Sequence, residues 1–148
     1  MLKQEQKDED LDLVKNYMSY VGYYFRQFNV GCKTCNSKTE KQFHPIYNKL
    51  WDLIHSLPFL LKEDIGNNNR LRNSVISFYN KFKFLPCEIC KKHYKLYVVN
   101  NPLNKLKNNV DLQNWTIDLH NEVNERTHKR KYFYSNVKNR YNGFVFKI

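Results

Sequence analysis

The chain has 148 residues, 41% hydrophobic and 16% aromatic, enough for one domain with a true core and too few to make two probable on size alone. Only four glycines and four prolines are present, which speaks against a loop-rich all-β fold. The net charge of +11 suits a soluble lysine-rich surface or attraction to something anionic, but the basic residues run from Lys33 to Lys147 without a dense block, which argues against a nucleic-acid binder.

Residues 1–9 are polar and acidic and read as a solvated tail, with the features of neither a secretory signal nor a mitochondrial presequence. Leu11, Leu13, Val14, Tyr17, Met18, Val21, Tyr24, Phe25 and Phe28 then recur in steps of three and four, which predicts an amphipathic helix over 10–28. Gly31 and the turn-like GCKTCNSK segment end it. After His44 and Pro45 a second helical pattern carries Ile46, Leu50, Trp51, Leu53, Ile54 and Leu57, with Pro58 expected to end or kink it. GNNN at 66–69 reads as a loop, and Leu71, Val75, Ile76, Phe78, Tyr79 and Phe82 predict a third helix. FLP leads into a fourth, which Asn100–Asn101–Pro102 breaks. Asp111 is a candidate cap for a fifth, striped by Leu112, Trp115, Leu119 and Val123, and a short last helix is predicted over 136–141. No period-2 run, internal repeat or membrane-length apolar run occurs, so the class is all-α, a soluble bundle with short loops, made in the cytosol. The absence of alanine and the wealth of Asn, Lys, Tyr and Phe suggest an AT-rich coding genome, as in a virus or protist.

The four cysteines fall in two C-x-x-C pairs, Cys32–Cys35 and Cys87–Cys90. An all-cysteine zinc site would use such pairs, but two predicted helices separate them where zinc ribbons leave about 15–20 residues. Four unrelated buried thiols are a further alternative. A redox reading has local chemistry behind it. Pro86 suits the start of a helix, placing Cys87 in its first turn and Cys90 one turn later. Free amides at a helix N-terminus, together with Lys91, Lys92 and His93, favour thiolate, the reactive form in disulfide exchange. A thioredoxin-like fold would need a preceding strand, and the flanks here are helical. Cys32–Cys35 lies in an apparently flexible segment, where it is either an idle loop pair or a mobile dithiol that passes electrons to the second pair.

Trp51 and His55 stand at i and i+4, and HNEVN at 120–124 places His120 and Asn124 on one face with Asn121 beside it. Each cluster alone fits satisfied core or surface polar groups; two clusters with a redox pair could surround a large, flat, polar-edged ligand.

W-x-x-x-H (51–55), FLPCEIC (84–90), WTIDLHNEVNERTHK (115–129) and, more weakly, SNVKNRY (135–141) together resemble the Erv/ALR family of FAD-linked sulfhydryl oxidases. The resemblance implies a four-helix bundle with a short fifth helix, here with an extra N-terminal helix that has no clear counterpart. It divides the chain into a helix and mobile C-x-x-C arm over 1–43 and an FAD-binding oxidase domain over 44–148. It implies oxidation of protein dithiols, with electrons passing through a C-x-x-C pair and FAD to oxygen to give hydrogen peroxide, and a homodimer. Cys90 would face the flavin, Cys87 would exchange with the incoming thiol, and Cys32–Cys35 would be the shuttle. Trp51, His55, His120, Asn121, Asn124 and Lys129, with Arg140 and Tyr141, match positions that line the FAD site, and no metal is implied. The setting would be the host cytoplasm or a virion for a viral member, or the mitochondrial intermembrane space for a cellular one. Two departures stand out. Ile117 and Tyr134 occupy the positions of a structural disulfide common in the family, where an apolar contact is expected instead, and FHPIY replaces the family's Trp-Gly before W-x-x-x-H. A redox-inert helical interaction protein that kept the fold and lost flavin, or a zinc-binding module, is the alternative of another class.

Overall fold

The computed structural model describes the backbone of residues 2–28 and 37–148, with side chains over 9–28 and 45–148; Cys32 and Cys35 lie outside the described residues. Among the described residues six α-helices follow one another: α1 (Leu2–Phe28), α2 (Ser37–Leu60), α3 (Asn69–Asn80), α4 (Glu88–Asn100), α5 (Asn109–Arg126) and α6 (Tyr134–Tyr141), with 3-10 turns between α2 and α5. Among the described residues there is no strand. Helices α2 to α5 form the expected bundle, α6 is the short fifth helix against α2 and α5, and α1 packs on α2 and α3.

Several boundaries differ from the sequence reading for physical reasons. The expected solvated tail is instead the start of α1, in a stretch where Lys, Gln and Glu are good helix formers. Asp10 anchors it: the buried carboxylate accepts the amides of Lys62 at 2.9 Å and Glu63 at 2.8 Å. Helix α5 is capped by Asn108, whose side chain accepts the Asp111 amide at 2.8 Å. Asp111 itself reaches back to the Lys107 amide at 2.9 Å, a reciprocal arrangement that pins the helix entrance.

Pro45 and Pro58 both lie inside α2. Pro58 lacks the N–H that would bond the carbonyl of Ile54, four residues earlier. That carbonyl instead accepts the hydroxyl of Tyr79 from α3 at 2.8 Å. Tyr79 is fully buried, and its own carbonyl accepts Tyr94 Oη from α4 at 2.6 Å. The helix thus continues past its proline because the neighbouring helix supplies the missing donor. Tyr79→Phe would leave the Ile54 carbonyl unpaired in the core and is expected to cost about 1–3 kcal/mol in urea denaturation. In a Pro58→Ala background, where residue 58 regains an N–H, the loss should shrink. Equal losses in both backgrounds would show that Tyr79 does not serve that carbonyl.

One core runs through the bundle. Val14, Tyr17, Val21, Tyr24 and Phe28 of α1 join Leu50, Leu53 and Leu57 of α2 and Leu71, Val75 and Phe78 of α3 in a single apolar cluster. Past α6 the chain returns to α1. Phe146 stacks on Tyr20, with ring centroids 5.0 Å apart, and touches Tyr17 and Tyr24. Lys49 of α2 donates to the Lys147 carbonyl at 2.6 Å and so ties this end down.

Ile117 and Tyr134 do not make the apolar contact expected in place of a crosslink. Ile117 is fully buried and packs with Val137 and Tyr141, whereas Tyr134 stays exposed and donates its hydroxyl to Asp118. By helical spacing Tyr134 shares the face of Val137 and Tyr141, but it stands at the first residue of α6, one turn before that cluster, and its hydroxyl goes to the Asp118 carboxylate instead.

Candidate functional site

A cavity of about 930 Å3 opens between α2, α4, α5 and α6. Its lining includes Trp51 and His55 from α2, Cys87 and Cys90 at the head of α4, His120 and Asn124 from α5, Lys129 beyond it, and Arg140 and Tyr141 from α6. Residues distant in sequence therefore meet because four helix faces converge on one space.

Cys87 stands at the N-cap of α4, just outside the turn where it was expected, with Cys90 inside that first turn. The Cys90 amide N–H points at Cys87 Sγ, 3.4 Å away. Cys87 is held in a disulfide in this structure; in its reduced form a helix N-terminus and an amide donor would both favour negative charge on that sulfur. Cys87, expected to meet the incoming thiol, is the more buried of the two at 2% exposed, whereas Cys90 is half-buried. The cap position turns the Cys87 side chain back over the helix start, and Cys90 sits partway round the turn. Lys91 pairs with Glu88 at 3.0 Å, so part of the positive charge beside the pair is locally balanced.

The α2 and α5 faces are joined by a polar chain. His55 Nε2 lies 2.7 Å from His120 Nδ1, and His55 Nδ1 lies 3.2 Å from Thr116 Oγ1. Burial, reinforced by the neighbouring His120 and the Arg140 charge, holds His55 well below the usual imidazole range. Burial and then Lys129 push His120 down to about 3. Both rings are therefore neutral at physiological pH. Trp51 lies flat against His120, with centroids 3.7 Å apart and planes at 2°, so a planar ligand reaching this pair meets an outer face or an edge.

Tyr141 is buried, stacks near His55 and donates its hydroxyl to Asp52 at 2.6 Å. Arg140 reaches the same carboxylate at 3.5 Å with its side chain 67% exposed, leaving its remaining donors open to the cavity mouth. Asn124 is 3% exposed and its Nδ2 has no hydrogen-bond partner among the described residues, a buried donor aimed at a wall of this cavity. Lys129 is brought back over α5 by a left-handed helix end: His128 has φ of 59°, and the Lys129 amide bonds the Asn124 carbonyl at 2.7 Å.

Asn121 is placed differently from its neighbours. It does not line the cavity; its side chain bonds both the amide and the carbonyl of Tyr132, at 2.7 Å and 3.0 Å. It thereby holds the segment that carries Tyr132, whose ring meets the edge of His120 at a centroid distance of 4.8 Å. Sequence reasoning passed over Asp52, Thr116 and Tyr132. Asp52 follows Trp51 directly, but its importance rests on α6, which no local pattern reveals. Among the described residues no group of three or more His, Cys, Asp or Glu is placed to hold a metal ion. Among them, too, no helix is long and apolar enough to cross a membrane.

Comparison with known proteins converges on the same segments. The model of the Erv1/Alr family matches residues 48–142. An FAD-linked sulfhydryl oxidase of African swine fever virus is 33% identical over 99 residues, 67% of this chain and 82% of the relative. A probable FAD-linked sulfhydryl oxidase of Acanthamoeba polyphaga mimivirus is 30% identical over 87 residues, 57% of this chain and 59% of the relative. No solved structure matches the chain.

Proposed function

Because the chain belongs to the Erv1/Alr family, we propose that it is an FAD-linked sulfhydryl oxidase that converts protein dithiols into disulfides, with Cys87 and Cys90 as its redox pair. The observation that carries this reading is the convergence of both sulfurs and of polar and aromatic residues from three other helices onto one cavity, Trp51, His55, His120, Asn124, Arg140 and Tyr141 among them. The cavity suits the cofactor on its own terms. Its volume of about 930 Å3 lies at the upper end of the range for cofactor clefts, about 300–1,000 Å3. Asn124 Nδ2 offers a buried donor, Lys129 and Arg140 offer cations for a pyrophosphate, and the aromatic rings offer faces for flat groups.

A substrate thiolate attacks Cys87 of the Cys87–Cys90 disulfide, and Cys90 leaves as the thiolate. The second substrate thiol then attacks the substrate sulfur of the mixed disulfide, releasing oxidised substrate and reduced Cys87. The helix N-terminus and the Cys90 amide stabilise the anionic sulfur at Cys87. Bound FAD supplies the two-electron acceptor that restores the disulfide and hands the electrons to oxygen, giving hydrogen peroxide. Asn121 acts as a positioning residue through Tyr132. Cys32–Cys35 acts as the dithiol shuttle on the 1–43 segment, and 44–148 holds the cofactor. The relatives are viral, and we infer a viral member working as a homodimer in the host cytoplasm or virion.

The purified protein should be yellow, with an oxidised-flavin visible spectrum that bleaches on anaerobic dithiothreitol and returns with oxygen as peroxide forms. Colourless protein carrying stoichiometric zinc would overturn the reading in favour of a binding module.

A further inference from the structure

Thr116 is fully buried on α5 and does not line the cavity, yet it ends the polar chain that begins at His120. Its hydroxyl donates to the Gln113 carbonyl at 2.7 Å. A hydroxyl has one proton, and a carbonyl can only accept. Towards His55 Nδ1, 3.2 Å away, Thr116 Oγ1 can therefore only accept, so Nδ1 carries the proton. In a neutral ring Nε2 is then bare and must accept from His120 Nδ1, 2.7 Å away. A proton on His120 Nδ1 in turn leaves its Nε2 as a lone pair on a ring that lines the cavity. Burial keeps both rings neutral, which is the condition for the chain to transmit one direction only.

We propose that Thr116 is a positioning residue that fixes the tautomers of His55 and His120, so that His120 Nε2 faces the cavity as a hydrogen-bond acceptor for an N–H or O–H donor of the bound cofactor. With the Thr116 proton turned towards His55, both rings would invert and His120 would present a donor instead. The choice of acceptor or donor at the cavity wall is thus made by a threonine two hydrogen bonds away from it. The cofactor's identity here rests on the oxidase reading; the tautomer itself does not.

The test uses purified protein labelled with 15N at histidine, with His120 resonances assigned through His120→Gln, and a parallel measurement of FAD Kd. In the wild type His120 Nε2 should show the shift of an unprotonated nitrogen. Thr116→Val, which keeps the shape and removes the hydroxyl, should move Nε2 towards the protonated type and weaken FAD about tenfold. Thr116→Ser should restore both, a rescue that a merely structural role would not link to the tautomer. A proton on wild-type His120 Nε2 overturns the proposal, as does a Thr116→Val protein that keeps the wild-type tautomer or the wild-type Kd. An unprotonated Nε2 in a protein with no affinity for FAD would uphold the relay and sink the oxidase reading. FAD bound tightly beside a protonated Nε2 would do the reverse.

Discussion

Replacing either Cys87 or Cys90 with serine is expected to reduce dithiothreitol-driven oxygen consumption to the background rate while leaving FAD bound. Both sulfurs border the same cavity at the head of α4, and a C-x-x-C pair with one thiol missing cannot close the disulfide that each turnover regenerates. The two variants should nonetheless differ. With Cys90→Ser, Cys87 can still form a mixed disulfide and nothing remains to resolve it, so a non-reducing gel should show trapped protein substrate. With Cys87→Ser the trap should be faint. The comparison is informative because burial alone would assign the exchange to Cys90, the more exposed of the two. A strong trap through Cys90 would exchange the roles; full activity in either variant would remove the pair from the reaction. Replacing Cys32 and Cys35 together should spare small-dithiol oxidation and slow protein oxidation, and normal turnover of protein substrates would end the shuttle proposal.

The fold should also be sensitive to mild acid. In the folded protein burial holds His55 well below its ordinary range and takes His120 down to about 3, whereas both titrate near 6.5 in the unfolded chain. Between those limits the unfolded state binds more protons, so stability is full above about pH 6.5 and falls as the pH drops below it. Each histidine removes at most about 1.4 kcal/mol per pH unit, and less near pH 6.5, so the pair together withdraws on the order of 3 kcal/mol between pH 6.5 and 5. That is a large share of the roughly 5–15 kcal/mol by which domains are usually stable. Urea midpoints across this window read the effect before most carboxylates begin to titrate. His120→Gln should remove about half of the slope. A flat profile would mean that the rings are not held neutral by burial.

Much of this arrangement was legible along the chain because it is local. Steps of three and four mark the core faces of α1, α3 and α5, and the buried set in each helix follows those stripes. W-x-x-x-H and HNEVN each put their polar residues on one helix face, and the two faces do meet. What escaped was set by partners far away. Pro58 is tolerated because Tyr79 donates across the bundle, and no pattern around residue 58 contains that fact. Asp52 gains its part from Arg140 and Tyr141 of α6, and Thr116 from His55 of α2. Asn121 sits among cavity residues in sequence but serves the backbone at Tyr132, a distinction made by the rotation of about 100° between neighbouring helix residues. The first turns of α1 were missed for another reason: charged residues look like a tail unless one of them, Asp10, finds two amides to hold.

The position of Phe146 bears on how the molecule is assembled during synthesis. Its ring completes the aromatic face of α1 built by Tyr17, Tyr20 and Tyr24. A ribosome makes that face first and makes Phe146 only after all the other described helices have been synthesised. Until then the side of α1 that Phe146 covers stays open on the nascent chain. The closing contact of the fold is therefore also among its longest in sequence, the kind that slows folding because a large loop must be closed before the contact can form.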